Sequence, residues 1–207
     1  MGKIQTNSIR YASALTAFYA ARFARDQDRH LNTLVTLNFT TLGITDDDAV
    51  EFFRQVKARA ATWWRYRREK TKSPFYNIGP FDWVMVHANP RGSAHVHWVI
   101  RVPQGHQAEF DAMLVNRIKK LAGLEDLKTA LNIKPIPKKG VGGVMKYCLR
   151  GVNPNDGPRF FLRAANEGTV IGRRVGVSRS LGHSARERAN WRKVGAKKDS
   201  RKQSQAR

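Results

Sequence analysis

Three histidines lie between His87 and His97, on two alternating stretches, FDWVMVHA and HVHWVIRV, separated by NPRGSA. A neutral imidazole binds a divalent cation through a ring nitrogen, and three protein ligands leave coordination positions open for a substrate. The alternation predicts two strands, with Trp83, Met85 and His87 on one face of the first and His95, His97 and Val99 on one face of the second. Asp82, Val84 and Val86, then Val96, Trp98 and Ile100, take the opposite faces. An antiparallel pair closing through residues 89–94 can set His87 beside His95 or His97, so that three imidazoles converge. A His-x-His pair alone is a weak signal, but imidazoles buried in an apolar strand are costly unless something satisfies them, and a metal ion does. The other reactive group is Tyr147, in KKGVGGVMKYCLRG (residues 138–151), with Lys146 beside it and Arg150 three residues on, Tyr147 and Arg150 sharing a helix face. A phenol ionises near pH ~10, so its attack on a phosphodiester needs a cation on the phosphate and basic groups to balance accumulating charge.

These groups need a scaffold, and the pattern of the chain predicts one. Asn7 or Ser8 caps a first helix reaching about Arg29, with Ile9, Ala12, Leu15, Tyr19 and Phe23 inward. LNTLVTLNFTTL (residues 31–42) reads as a strand with Val35, Leu37 and Phe39 in the core. Asp46, Asp47 and Asp48 open a long helix to about Lys70, carboxylates at its start and cations at its end, with Val50, Phe53, Val56, Ala60 and Trp63 buried. After the histidine hairpin come a helix over residues 107–121 with Phe110, Met113, Leu114, Ile118 and Leu121 inward, a short edge strand over 132–136, and the glycine-flanked helix of Tyr147. The fold class expected is α+β, a central antiparallel sheet flanked by helices. The expected division is an N-terminal helix (1–29), a catalytic domain (30–165) and a basic C-terminal segment (166–207) that loses apolar periodicity and order beyond about Ala185.

Thirty-eight Lys and Arg against sixteen Asp and Glu give a formal charge of +22, which in a protein with 41% hydrophobic residues points to a folded core with a polyanionic partner, nucleic acid before membrane. Candidate phosphate contacts are Arg65, Arg67 and Arg68 in WWRYRREK, Lys138 and Lys139, Arg173, Arg174 and Arg179, and the stretch from Lys197 to Lys202. A single cysteine, Cys148, excludes an intrachain disulfide and a cysteine-rich zinc site and suits a reducing, cytoplasmic, nucleoid-associated setting. Polar residues dilute the apolar run of residues 11–21, which reads as an amphipathic helix rather than a signal peptide, and no stretch approaches a membrane span. No Gly-rich loop ending in Gly-Lys-Ser/Thr is present, so a fused ATP-driven helicase is not expected.

Taken together, LVTLNFT, the HVH pair after an antiparallel partner strand, and a later helical tyrosine followed by a basic residue resemble the HUH endonuclease superfamily in its usual motif order, over roughly residues 31–151. The resemblance implies a sheet-and-helix nuclease fold like that of single-tyrosine rolling-circle replication initiators. It implies that His95 and His97 are the metal-binding pair, Tyr147 the nucleophile, and His87 a third ligand where relatives commonly place glutamate. A histidine there removes a negative charge and favours Mn²⁺ over Mg²⁺. Arg150 stands where the family has lysine, and SRSLG (residues 178–182) also resembles a recurrent segment of bacterial replication proteins. The implied activity is nicking and rejoining of single-stranded DNA, or of a hairpin at an origin, through a 5′-phosphotyrosine, with a host helicase or polymerase as further partners. Two other readings remain open on the residues alone: a non-enzymatic nucleic-acid binder, and a nuclease using metal-bound water instead of Tyr147.

Overall fold

The computed structural model describes residues 4–70 and 78–191. In chain order the elements are β1 (Gln5–Thr6), α1 (Tyr11–Asp26), β2 (Thr33–Asn38), α2 (Asp46–Lys70), β3 (Trp83–Ala88), β4 (His95–Ile100), α3 (Gln107–Ala122), β5 (Leu131–Pro135), α4 (Val141–Cys148), β6 (Val170–Ile171), β7 (Val175–Val177) and α5 (His183–Arg188). Five strands form one sheet in the order β5-β2-β4-β3-β7, and every pairing within it is antiparallel. The expected α+β class, an antiparallel sheet flanked by helices, is the one found.

Each face of the sheet carries its own core. On one face Val35, Leu37, Val96, Trp98 and Ile100 meet Phe53, Val56 and Ala60 of α2 and Phe110, Leu114 and Ile118 of α3. Trp98 is fully buried there, and truncating such a side chain to alanine costs about 3–5 kcal/mol. On the other face Val84, Val86 and Val99 pack against α1, α4 and Leu181. Ala14, Ala17, Ala20, Ala21 and Ala24 are the buried residues of α1 beside Phe23, so the helix approaches through small side chains. Of the expected stripe Ile9 and Phe23 are buried, but Ala12 is exposed and Leu15 and Tyr19 are half-buried, so the alanines carry most of this face. In α2 the buried indole is Trp64, which donates to the Gly79 carbonyl at 3.1 Å, while Trp63 packs at the edge against Phe110.

The expected three-part division does not match the packing. Helix α1 belongs to the second core rather than standing apart, and the C-terminal segment supplies β7, the strand that closes one edge of the sheet. Order also extends past Ala185: α5 is helical, and Trp191 packs edge-on against Phe23 (5.6 Å between ring centroids) and donates to Asp26 at 3.0 Å. The SRSLG segment is structural in part, because Leu181 is fully buried and Ser180 donates to the buried Asp82 at 2.5 Å, opposite the Arg29–Asp82 ion pair at 2.9 Å. Lys197 to Lys202 lie outside the described residues. Among the described residues no helix is long and apolar enough to cross a membrane.

Candidate active site

The histidine hairpin forms as expected, but its register separates the histidines. Val86 pairs with His97, His87 with Val96, and Ala88 with His95. Residues directly opposite in an antiparallel pair point to the same face, so His87 lies with Val96 and Trp98, and His95 and His97 lie on the other side of the sheet. The six-residue connection, 89–94, decides this, since an even number sets odd positions of one strand against even positions of the next. The turn holds that length through left-handed backbone at Arg91 (φ 54°) and Gly92 (φ 76°). His87 is therefore not a third ligand. It is 2% exposed, stacked at 5.8 Å on Phe39 and edge-on at 5.3 Å to Phe53, and burial, with the charges of Lys57, His95 and Arg174, lowers its pKa to about 3.

His95 and His97 have ring centroids 4.8 Å apart. Nδ1 of His95 lies 2.8 Å from the Ser93 carbonyl, an acceptor only, so that nitrogen carries a proton and Nε2 is the one that offers a lone pair in the neutral ring. Nδ1 of His97 lies 3.1 Å from Oγ1 of Thr36, the residue paired with it across β2. Such anchoring of one ring nitrogen orients the other toward a metal or substrate. His97 is 3% exposed, and burial, followed by the charges of His95 and Arg150, brings its pKa to about 3. Its imidazole is thus neutral at any physiological pH.

Helix α4 covers this face and brings Tyr147 over the pair, its ring centroid 5.0 Å from that of His97. Tyr147 stays 47% exposed, open to a substrate. Arg150 lies just past the end of α4, yet its guanidinium carbon is 4.9 Å from the centre of the Tyr147 ring, and it forms an ion pair with the buried Glu167. Cys148, next to Tyr147, turns into the core, where burial pushes its thiol up to about 12, so it is no rival nucleophile. Glu167 and Thr36 are site residues absent from the expectations. Glu167 comes from an irregular segment with no periodic signal, and Thr36 acquires its role only through the register with His97.

The loop of Glu167 is fixed to the hairpin. Asn89 N–H donates to the Glu167 carbonyl at 2.8 Å, and Gly168 (φ 64°) lies so close that a Cβ there would overlap the Asn89 carbonyl group. Buried Arg174 donates to the carbonyls of His87 (3.2 Å), Glu167 (2.6 Å) and Gly168 (2.7 Å). Arg174 is consequently a strut for the site and not a phosphate contact.

The remaining basic candidates divide between the two faces. Lys138 and Lys139 are exposed just before α4 and line a groove of about 790 Å³ with Phe18, Arg22 and Arg25 of α1. Lys146 is exposed on α4 beside Tyr147. Arg65 and Arg68 are exposed, but α2 covers the sheet face away from Tyr147, and Arg67 is paired with Glu109. Arg173 and Arg179 are exposed around β7.

Among the described residues no group of three His, Cys, Asp or Glu is arranged to hold a metal. The donor chemistry nonetheless fits a divalent ion at two positions: His95 and His97 are adjacent, His97 is held neutral by burial, and both have Nδ1 engaged, with other positions left to water and substrate oxygens. Comparison with protein-family models, curated proteins and solved structures finds no match for this chain.

Proposed function

We propose that the protein is a single-strand DNA nicking and joining enzyme in which Tyr147 attacks a phosphodiester held over His95 and His97. The observation that supports this most directly is the placing of an exposed tyrosine, 5.0 Å from His97, between a histidine pair and a guanidinium 4.9 Å from its ring. A structural tyrosine in a helix has no need of any of these neighbours.

In this reading a strand lies along the open part of the sheet face, where Thr36, Asn38, Asn132 and Lys134 share a side with His95 and His97. Tyr147 Oη forms a bond to phosphorus as the P–O3′ bond breaks. The phenolic proton leaves to solvent and the departing 3′ oxygen takes one up. The 5′ phosphate stays on tyrosine, so the energy of the broken ester is conserved for rejoining and no ATP is consumed. Mn²⁺ or Mg²⁺ bound by His95 and His97 would supply Lewis acidity at a non-bridging phosphate oxygen. Arg150, oriented by Glu167, and Lys146 carry positive charge beside the phosphate, where charge accumulates during transfer. Pairing holds each strand of duplex DNA on a helical path with its bases stacked inside, so a strand laid along the sheet face is a single strand or comes from an extruded hairpin, as at an origin of rolling-circle replication or mobilisation.

The test is incubation of the protein with labelled single strands and Mn²⁺ or Mg²⁺, followed by denaturing electrophoresis. A covalent adduct is expected from the native protein and none from Tyr147→Phe. Cleavage that persists in Tyr147→Phe without an adduct would replace this reading with water-based hydrolysis, and metal-independent binding without cleavage would make the protein a binder only.

A further inference from the structure

Phe161 breaks two rules at once. It is a bulky residue in left-handed backbone, φ 52° and ψ 44°, a conformation that suits glycine or asparagine. It also leaves its ring 86% exposed. The core does not call for it, because the neighbouring Phe160 fills that need, packed at 5.3 Å on Tyr11 and 5.2 Å on Phe18. The turn does not call for it either. Its hydrogen bonds are backbone bonds, Phe161 N–H to the Pro158 carbonyl at 3.1 Å and Leu162 N–H to the Gly157 carbonyl at 3.3 Å, which glycine at position 161 would make with less strain. Strain and exposed aromatic area that serve neither packing nor backbone point to a ligand.

The neighbourhood indicates which one. Lys146 Nζ lies 5.9 Å from the centre of the Phe161 ring, and Lys146 adjoins Tyr147 on α4. A flat apolar face with an ammonium beside it matches one nucleotide, the base on the ring and its phosphate on the lysine. We propose that Phe161 and Lys146 form a nucleotide subsite that stacks an unpaired base next to the phosphate attacked by Tyr147. The proposal rests on the nucleic-acid reading of the site and adds to it the element that favours single-stranded over duplex substrate, since a paired base has no free face to offer.

The test uses the full chain carrying Tyr147→Phe, so that binding is read without chemistry, and a fluorescent 20-nucleotide random single strand. Phe161→Gly is expected to keep or raise the melting temperature while weakening binding roughly 5- to 150-fold. Phe161→Trp restores the affinity, and the salt dependence is unchanged in both because every phosphate contact remains in place. Affinity within twofold of the parent in Phe161→Gly, or a steeply altered salt slope, overturns the stacking role. Absence of binding by the parent protein itself overturns the nucleic-acid reading as well, so the two failures are distinct.

Discussion

Replacing His87 with leucine separates the two-histidine site from a three-histidine one. His87 is buried on the far face of the sheet, and among the described residues its Nε2 meets no hydrogen-bond partner. Burial holds its pKa at about 3, against about 6.5 for an unfolded histidine. Below pH ~6.5 the unfolded chain takes up a proton that the native one refuses, so His87 removes stability as the pH falls from 6.5 towards 3. With those two pKa values the loss between pH 7 and pH 5 is about 2 kcal/mol. Leucine has no such titration. The altered packing against Phe39 and Phe53 and the relief of the unpaired nitrogen are the same at both pH values and cancel in the difference. Urea unfolding of the native protein and His87→Leu at pH 7 and pH 5 is expected to show the acid-induced loss reduced by about 2 kcal/mol in the variant. The same variant keeps Mn²⁺ binding and adduct formation. A folded His87→Leu that no longer binds Mn²⁺ would refute the register argument, and an unchanged pH difference would refute the burial argument.

Other substitutions probe the support of the site. His97→Asn is expected to abolish Mn²⁺ binding seen by titration calorimetry and to lower adduct formation at least ~100-fold, because in the proposed site it removes one of the two nitrogen donors. Arg174→Met removes the guanidinium that the carbonyls of His87, Glu167 and Gly168 share, leaving Glu167 only its bond from Asn89 N–H, and chemical denaturation should report a loss of about 3 kcal/mol with no change in the salt dependence of DNA binding. Gly168→Ala forces the loop of Glu167 off Asn89. Weaker adduct formation and a lower melting temperature are expected together, and a fully active, equally stable variant would contradict the close approach. Removing residues 192–207, which carry seven Lys and Arg against one Asp, should flatten the salt dependence of single-strand binding by roughly 0.7 for every phosphate those side chains neutralise.

Much of the site was legible because its parts carry strong local signals. The alternation of β4 announced a strand with both histidines on one face, while the expected shared helix face of Tyr147 and Arg150 is met in proximity only, because α4 ends at Cys148 and Arg150 reaches the Tyr147 ring from the turn beyond it. The face of His87 was within reach of the sequence and was misjudged: the six residues of the 89–94 connection already set His87 against Val96, so the expected convergence of three imidazoles fails on parity, and the left-handed turn at Arg91 and Gly92 holds that count. The strand β7 was hidden in a basic stretch, because Val175–Val177 is too short to show alternation and gains its stability from pairing with β3. Arg174 looked like its exposed neighbour Arg173, and nothing local distinguishes a strut from a phosphate contact. Glu167 joins the site across the fold, through Arg150 and the Asn89 backbone, a relation that no spacing along the chain records.

In the proposed reaction Tyr147 becomes covalently bonded to a DNA phosphate. Protein captured on random single strands in the presence of Mn²⁺, digested with nuclease and trypsin, and analysed by mass spectrometry tests this directly. The 147–150 peptide is expected to carry a nucleotide joined through its phosphate to Tyr147. A cleaved strand with that peptide unmodified, or a nucleotide attached to a different residue, would contradict it.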